Sequence, residues 1–185
     1  MIVETVRTYL EMASPADLRP AFDVPSLRLE PVANAAPLVR ELVRRVGAPP
    51  HWSHALVSDQ EWAARMAEPG LQHWVLTVDA EPAGVSGLQA HPGGEVEIVV
   101  FGLVPERVGC GYGGAALSET VRLAWTRLDA AVIRRVWLHT SSLDHPHALA
   151  NYQRRGFRVY RSEISDPGCV AKTYPGFFTD LRRLA

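Results

Sequence analysis

The stretch Val96–Leu117 reads VEIVVFGLVPERVGCGYGGAAL, and its parts decide the fold. A β-branched, apolar run of Val96, Ile98, Val99, Val100 and Phe101 has the composition of a buried strand and stops at Pro105. Gly109, Gly111, Gly113 and Gly114 follow closely, and an apolar pattern of helical period begins at Ala115. Strand, glycine loop and helix in that order aim bare backbone N–H groups at an anion. Glycine suits such a loop because a residue without Cβ lets phosphate oxygens reach the main chain and permits positive φ. Gly109, Gly111 and Gly114 also spell the dinucleotide pattern GxGxxG, which needs an acid near the end of the next strand. That strand, Arg134–Thr140, contains none, and Asp129 precedes it. No Lys-Ser/Thr pair follows the glycines, so a triphosphate loop is not spelled either.

Composition sets the frame around this stretch. A chain of 185 residues, 47% hydrophobic and 21% charged, is expected to fold as one domain with a sizeable core. Its 19 Lys+Arg against 20 Asp+Glu supply no basic field for nucleic acid and no polybasic membrane signal. The two cysteines, Cys110 and Cys169, offer neither a disulfide framework nor a zinc spacing, so no metal is expected. The opening MIVETVRTYLEM has acids early and no leader-like apolar core, and no run reaches the length of a membrane span, so the expected location is cytoplasmic.

Residues 2–12 alternate as a strand with Val6, Thr8, Leu10 and Met12 on one side, and fit a short helix nearly as well. A strand is expected from Leu27, and a helix capped by Asn34 that carries Leu38, Leu42, Val43 and Val46 on one face to Gly47. Ser58 and Glu61 form a capping box for a second helix. Strands at Gln72–Val78, Ala83–Gln89 and Glu95–Val104, the last entered from a turn at His91-Pro92-Gly93-Gly94, make an antiparallel meander. The glycine-loop helix should run to about Asp129. Val136–Thr140 is then reached by a helical crossover and lies parallel to Glu95–Val104. A last helix, about Pro146 to Arg155, ends at Gly156, and Phe157–Ile164 forms the final strand. Residues 1–25 read as an N-terminal extension and 165–185 as a tail in which Phe177, Phe178 and Leu181 pack.

From Leu27 to Ile164 the chain resembles the GNAT superfamily of acyl-CoA-dependent N-acyltransferases. LVPERVGCGYGGAAL resembles the family's pyrophosphate loop, Arg/Gln-x-x-Gly-x-Gly/Ala, with Val108 where Arg or Gln is usual and Arg107 one place away. ALANYQRRGF, Ala148–Phe157, resembles its second acyl-CoA motif. The resemblance implies an α+β fold: a mostly antiparallel, twisted central sheet with a splayed parallel pair, flanked by helices in three α/β/α layers. It further implies acetyl-CoA as co-substrate, a primary amine of a small molecule or amino acid as acceptor, and direct attack in a ternary complex. A silent acyl-CoA-binding sensor of the same fold is the alternative. Neither nucleic acid nor membrane is an expected partner, and a homodimer is compatible with the sequence.

Within that frame the acyl-CoA contacts fall on Leu103, Val104, Arg107, Val108, Gly109, Gly111, Tyr112, Gly113, Gly114 and His145, with Phe101, Leu103 and Val104 acting through the backbone of a splayed strand. An amine with a pKa of about 10.4 must lose a proton before it attacks. Glu97, mid-strand among apolar neighbours, is the candidate base, and Glu95 shares its face. Tyr152 stands where the family places its general acid. His139, on the fifth strand of the family sheet, is the candidate acceptor-site residue. The cluster His51, Trp52, His54, Trp62, His73 and Trp74 either lines the acceptor site or packs.

Overall fold

The computed structural model describes residues 5–48, 57–126 and 133–165. Seven strands form one sheet: β1 (Thr5–Met12), β2 (Leu27–Val32), β3 (Leu71–Val78), β4 (Glu81–His91), β5 (Glu95–Leu103), β6 (Arg135–Ser141) and β7 (Arg158–Ser165), in the order β2-β3-β4-β5-β6-β1-β7. β5 and β6 are parallel and every other neighbouring pair is antiparallel. Among the described residues four α-helices flank the sheet: α1 (Pro37–Gly47), α2 (Asp59–Met66), α3 (Tyr112–Thr126) and α4 (Ala148–Arg154).

Alternation along the strands sorts the side chains into two layers. On one face Leu10, Met12, Val96, Ile98, Val136 and Leu138 pack with Leu117, Val121 and Ala124 of α3 and with Tyr152 of α4. On the other, Val75, Val85 and Val100 meet Val39, Leu42, Val43 and Val46 of α1 and Trp62 of α2. The result is the expected three-layer α/β/α arrangement.

The N-terminal segment belongs to the sheet. β1 lies between β6 and β7, antiparallel to both, with Leu10 opposite Leu138 and Met12 opposite Val136. The chain then crosses the α3/α4 face on its way to β2. Arg19 N–H donates to Arg155 O at 3.0 Å and Ala21 N–H to Ser118 Oγ at 2.9 Å. Gly156, φ +102°, sits under this crossing, where a Cβ would lie 1.9 Å from Asp17 O. That position therefore ends α4 and admits the crossing chain at once.

Two helices start elsewhere than expected. α1 starts one residue after Ala36, with Pro37 in the first turn, and Asn34 does not cap it. Asn34 Nδ2 instead donates to Leu71 O at 2.7 Å, and its Oδ1 accepts from His73 Nδ1 at 2.9 Å. Proline supplies the helical φ and needs no N–H partner, so the cap was dispensable. α4 is shorter than expected and begins at Ala148. The capping box of α2 is formed as read, with Glu61 N–H donating to Ser58 Oγ and Ser58 N–H to Glu61 Oε2. The end of the glycine-loop helix beyond Thr126 and the tail with Phe177, Phe178, Leu181 and Cys169 lie outside the described residues.

Candidate active site

The parallel pair is short. β5 and β6 are paired only at Glu95–Arg135, Val96–Val136 and Glu97–Trp137, and beyond Glu97 they part. A register irregularity between Gly87 and Leu88, opposite Val99, bends β5 where the pairing to β6 ends. From Ile98 onward β5 is bonded to β4 alone, so its other edge offers unpaired backbone groups to a ligand.

A cavity of about 500 Å³ opens along that edge. Phe101, Gly102 and Leu103 of β5 form one wall, Val108, Gly109 and Gly113 one end, and Asp144, His145, Asn151 and Tyr152 the opposite wall. Gly109 (φ +81°) and Gly111 (φ +85°) both adopt positive φ, and a Cβ added at either would face open space. The loop's N–H groups lie at the start of α3, a helix long enough to carry a partial positive charge there. Arg154 also lines the cavity. Volume, glycine loop and helix terminus fit a ligand with an apolar arm and a phosphate group.

The sequence candidates distribute unevenly around it. Leu103, Val108, Gly109, Gly113, His145 and Tyr152 line the cavity. Val104 is a correction: its side chain is buried with α1, and its N–H already donates to Ala83 O at 2.9 Å, so it cannot serve a ligand. Tyr112 packs its ring beside the cluster of Leu27, Leu76 and Ala83, which leaves only its N–H for a phosphate. Gly114 is closely packed: a Cβ there would sit 3.1 Å from Ala21 Cβ and 3.2 Å from an Arg155 guanidinium nitrogen, so those neighbours would have to give by a few tenths of an ångström. Arg107 ends a short 3-10 turn and is half-buried.

Tyr152 is buried between Phe157 and Phe101, edge-on to both at ring distances of 6.1 and 6.4 Å. Burial, with the Asp144 carboxylate adding to it, pushes its phenol well above the ordinary range. Such a group stays protonated at any physiological pH, the state an acid needs.

Glu97 does not line the cavity. It lies further back on β5, at the last β5–β6 pair, with its side chain 3% exposed. Its Oε2 is 3.0 Å from His91 Nε2, and its Oε1 is 3.9 Å from His139 Nδ1. Burial raises its pKa, the His91 contact works in the opposite direction, and the Glu68 charge adds a smaller upward push. His91 stacks on Trp137 with ring centroids 6.0 Å apart, and His139 meets Tyr9 at 5.7 Å. Glu95 is drawn away to Arg135 at 3.4 Å, and Arg135 also binds Glu11 at 2.8 Å.

His91 is not among the sequence candidates, because Pro92, Gly93 and Gly94 beside it spell a turn. It is in fact the last residue of β4, opposite Glu95, which puts its ring diagonally beside Glu97. Of the aromatic and histidine cluster, Trp62, His73 and Trp74 are buried packing residues, and His51, Trp52 and His54 lie outside the described residues.

A sheet parted at its parallel pair, with a glycine loop and a helix N-terminus at the mouth of the gap, defines an acetyltransferase-type domain. A family model described as the Acetyltransferase (GNAT) family matches residues 39–157, and the chain belongs to that family. No curated protein matches the chain. Solved structures share its fold. A GCN5-related N-acetyltransferase from Kribbella flavida matches with TM-score 0.60 at 18% identity, over 88% of this chain and 58% of that one. One from Sphaerobacter thermophilus matches with TM-score 0.62 at 16% identity, over 89% and 51%. An IAA acetyltransferase from Bacillus cereus matches with TM-score 0.53 at 19% identity, over 74% and 79%. The chain thus spans between half and three fifths of the length of the first two.

Proposed function

We propose that the protein is an acyl-CoA-dependent N-acyltransferase that moves an acetyl group from acetyl-CoA to a primary amine. The observation that carries this reading is the continuous cavity from the glycine loop, along the open edge of β5, to Tyr152. The loop N–H groups of Gly109–Gly113 and the side chains of Arg107 and Arg154 receive the pyrophosphate, and His145 contacts the cofactor at the cavity wall. The pantetheine arm lies along Phe101–Leu103, and unpaired N–H groups on the β5 edge polarise the thioester oxygen. Glu97 supplies the negative charge that draws a proton from the acceptor. Tyr152, which lines the cavity and stays protonated, gives its proton to the departing thiolate.

The test is direct. Acetyl-CoA should raise the unfolding temperature, and a panel of small primary amines and amino acids should contain at least one that releases the CoA thiol at a rate set by enzyme concentration. Stabilisation without thiol release on any amine would replace this reading with that of an acyl-CoA binder.

A further inference from the structure

Glu97 stands on the last pair between β5 and β6, and its side chain is 3% exposed. A carboxyl group taken this far out of water holds on to its proton, and a protonated acid is no base. Glu97 can accept a proton only if a neighbour favours its charged form.

The neighbours differ in sign and in reach. His91 of β4 is within hydrogen-bond distance, its Nε2 3.0 Å from Glu97 Oε2. His139 Nδ1 of β6 lies 3.9 Å from Oε1, longer than a hydrogen bond. Glu68, which follows α2, is a like charge and works against ionisation. Glu95, two places back on β5, turns to Arg135. Gln89 lies opposite Glu97 on β4 but donates its amide N–H to Pro69 O. His91 is held for its contact. It ends β4 opposite Glu95, and its ring stacks on Trp137, the residue paired with Glu97 across β5 and β6. Glu68 also interacts electrostatically with His91. An ionised carboxylate only accepts hydrogen bonds, so the nitrogen that faces it, Nε2, carries the hydrogen.

We propose that His91 is the positioning residue of the base: its Nε2–H, donated to Glu97 Oε2, keeps the buried carboxylate ionised and leaves Oε1 to take the acceptor's proton. The proposal rests on the acyltransferase reading. The ammonium carries three protons and the amide keeps one. Glu97 Oε1 takes the first and later gives it to solvent. The amine lone pair then forms the C–N bond at the thioester carbonyl. As the C–S bond breaks, the second proton, shed by the nitrogen, replaces the one that Tyr152 gives to the thiolate. His91 neither gains nor loses a proton in these steps.

The experiment records kcat/KM against pH for wild type, His91→Phe and His91→Gln, using the amine found by the thiol-release screen. Phe keeps a ring against Trp137 and removes the N–H, whereas Gln brings an amide N–H of its own. His91 does not line the cofactor cavity, so both variants should keep the wild-type acetyl-CoA Kd, which also reports that they are folded. The acidic limb of H91F should move to higher pH, which lowers kcat/KM by about tenfold at a given pH on the limb and leaves the plateau above it unchanged. H91Q should fall between H91F and wild type. An H91F limb that coincides with that of wild type, or a loss of equal size at every pH, would overturn the proposal. The wild-type protein supplies a second measurement that needs no variant: nitrogen NMR of the histidine side chains should find His91 Nε2 protonated at neutral pH. A bare Nε2 would overturn the proposal. A wild-type protein that has Nε2 protonated, binds acetyl-CoA and acylates nothing would instead overturn the acyltransferase reading on which the proposal stands.

Discussion

His91 Nε2 and Glu97 Oε2 stand 3.0 Å apart across the β4–β5 hairpin, a partly buried imidazole holding a buried carboxylate. Burial outweighs the histidine, so Glu97 binds its proton more tightly folded than unfolded. The sign follows: the stability it contributes is present below the ordinary carboxylate pKa of about 4.3 and is lost as pH rises through the raised folded value. E97Q cannot lose that proton. Urea denaturation across pH should show wild type losing stability above about pH 4.3 relative to E97Q, and parallel curves for the two proteins would contradict the assignment.

His73 has the opposite sense. Burial lowers its pKa to about 4, and the folded protein keeps it neutral, its Nδ1–H donating to Asn34 Oδ1. The unfolded chain is protonated first, so stability falls as pH drops from about 6.5 toward 4, by roughly 3 kcal/mol in all. His73→Gln should start less stable at neutral pH and flatten this acid limb. A limb of unchanged steepness would place the titrating group elsewhere.

The glycine loop can be tested without breaking the fold at Gly113, where a Cβ would find its nearest neighbour, Asn151 Nδ2, only at 3.9 Å. Gly113→Val should keep the wild-type unfolding temperature within a few degrees and abolish the upward shift caused by CoA, since the branched side chain occupies the space of the phosphate. A full CoA shift in G113V would move the phosphate site away from the loop.

Tyr152→Phe removes a hydroxyl from a ring held between Phe101 and Phe157, so packing should survive. Loss of the acid predicts a fall of about 10²-fold in kcat with little change in the Kd for CoA. Near-wild-type kcat would make Tyr152 a core residue that happens to face the cavity.

How far the sequence foretold this site depends on the range of each interaction. The meander, the glycine loop and α3 were legible because their signals are local: Val96–Phe101 is β-branched, Pro105 stops it, and the glycines precede a helical period. The capping box at Ser58 and Glu61 was readable for the same reason. The insertion of β1 between β6 and β7 was not, because residues 5–12 find partners near residues 138 and 161, and no local pattern records that register. Val104 was misjudged because its composition shows the apolar strand but not that Ala83 O takes its N–H. His91 was hidden by its neighbours Pro92, Gly93 and Gly94, which advertise a turn. Counting the hairpin back from Glu97 would have found it, since the residue opposite Glu95 shares the face of Glu97.

The account stands on transfer of an acyl group, and the most direct measurement follows both products of one incubation of the wild-type protein with acetyl-CoA and each member of the amine panel. Thiol release should require enzyme and amine together, and mass spectrometry should find one acetylated amine for each thiol released. Acetyl-CoA bound in the cavity, with thiol release no faster in the presence of any amine than in its absence, would contradict the account.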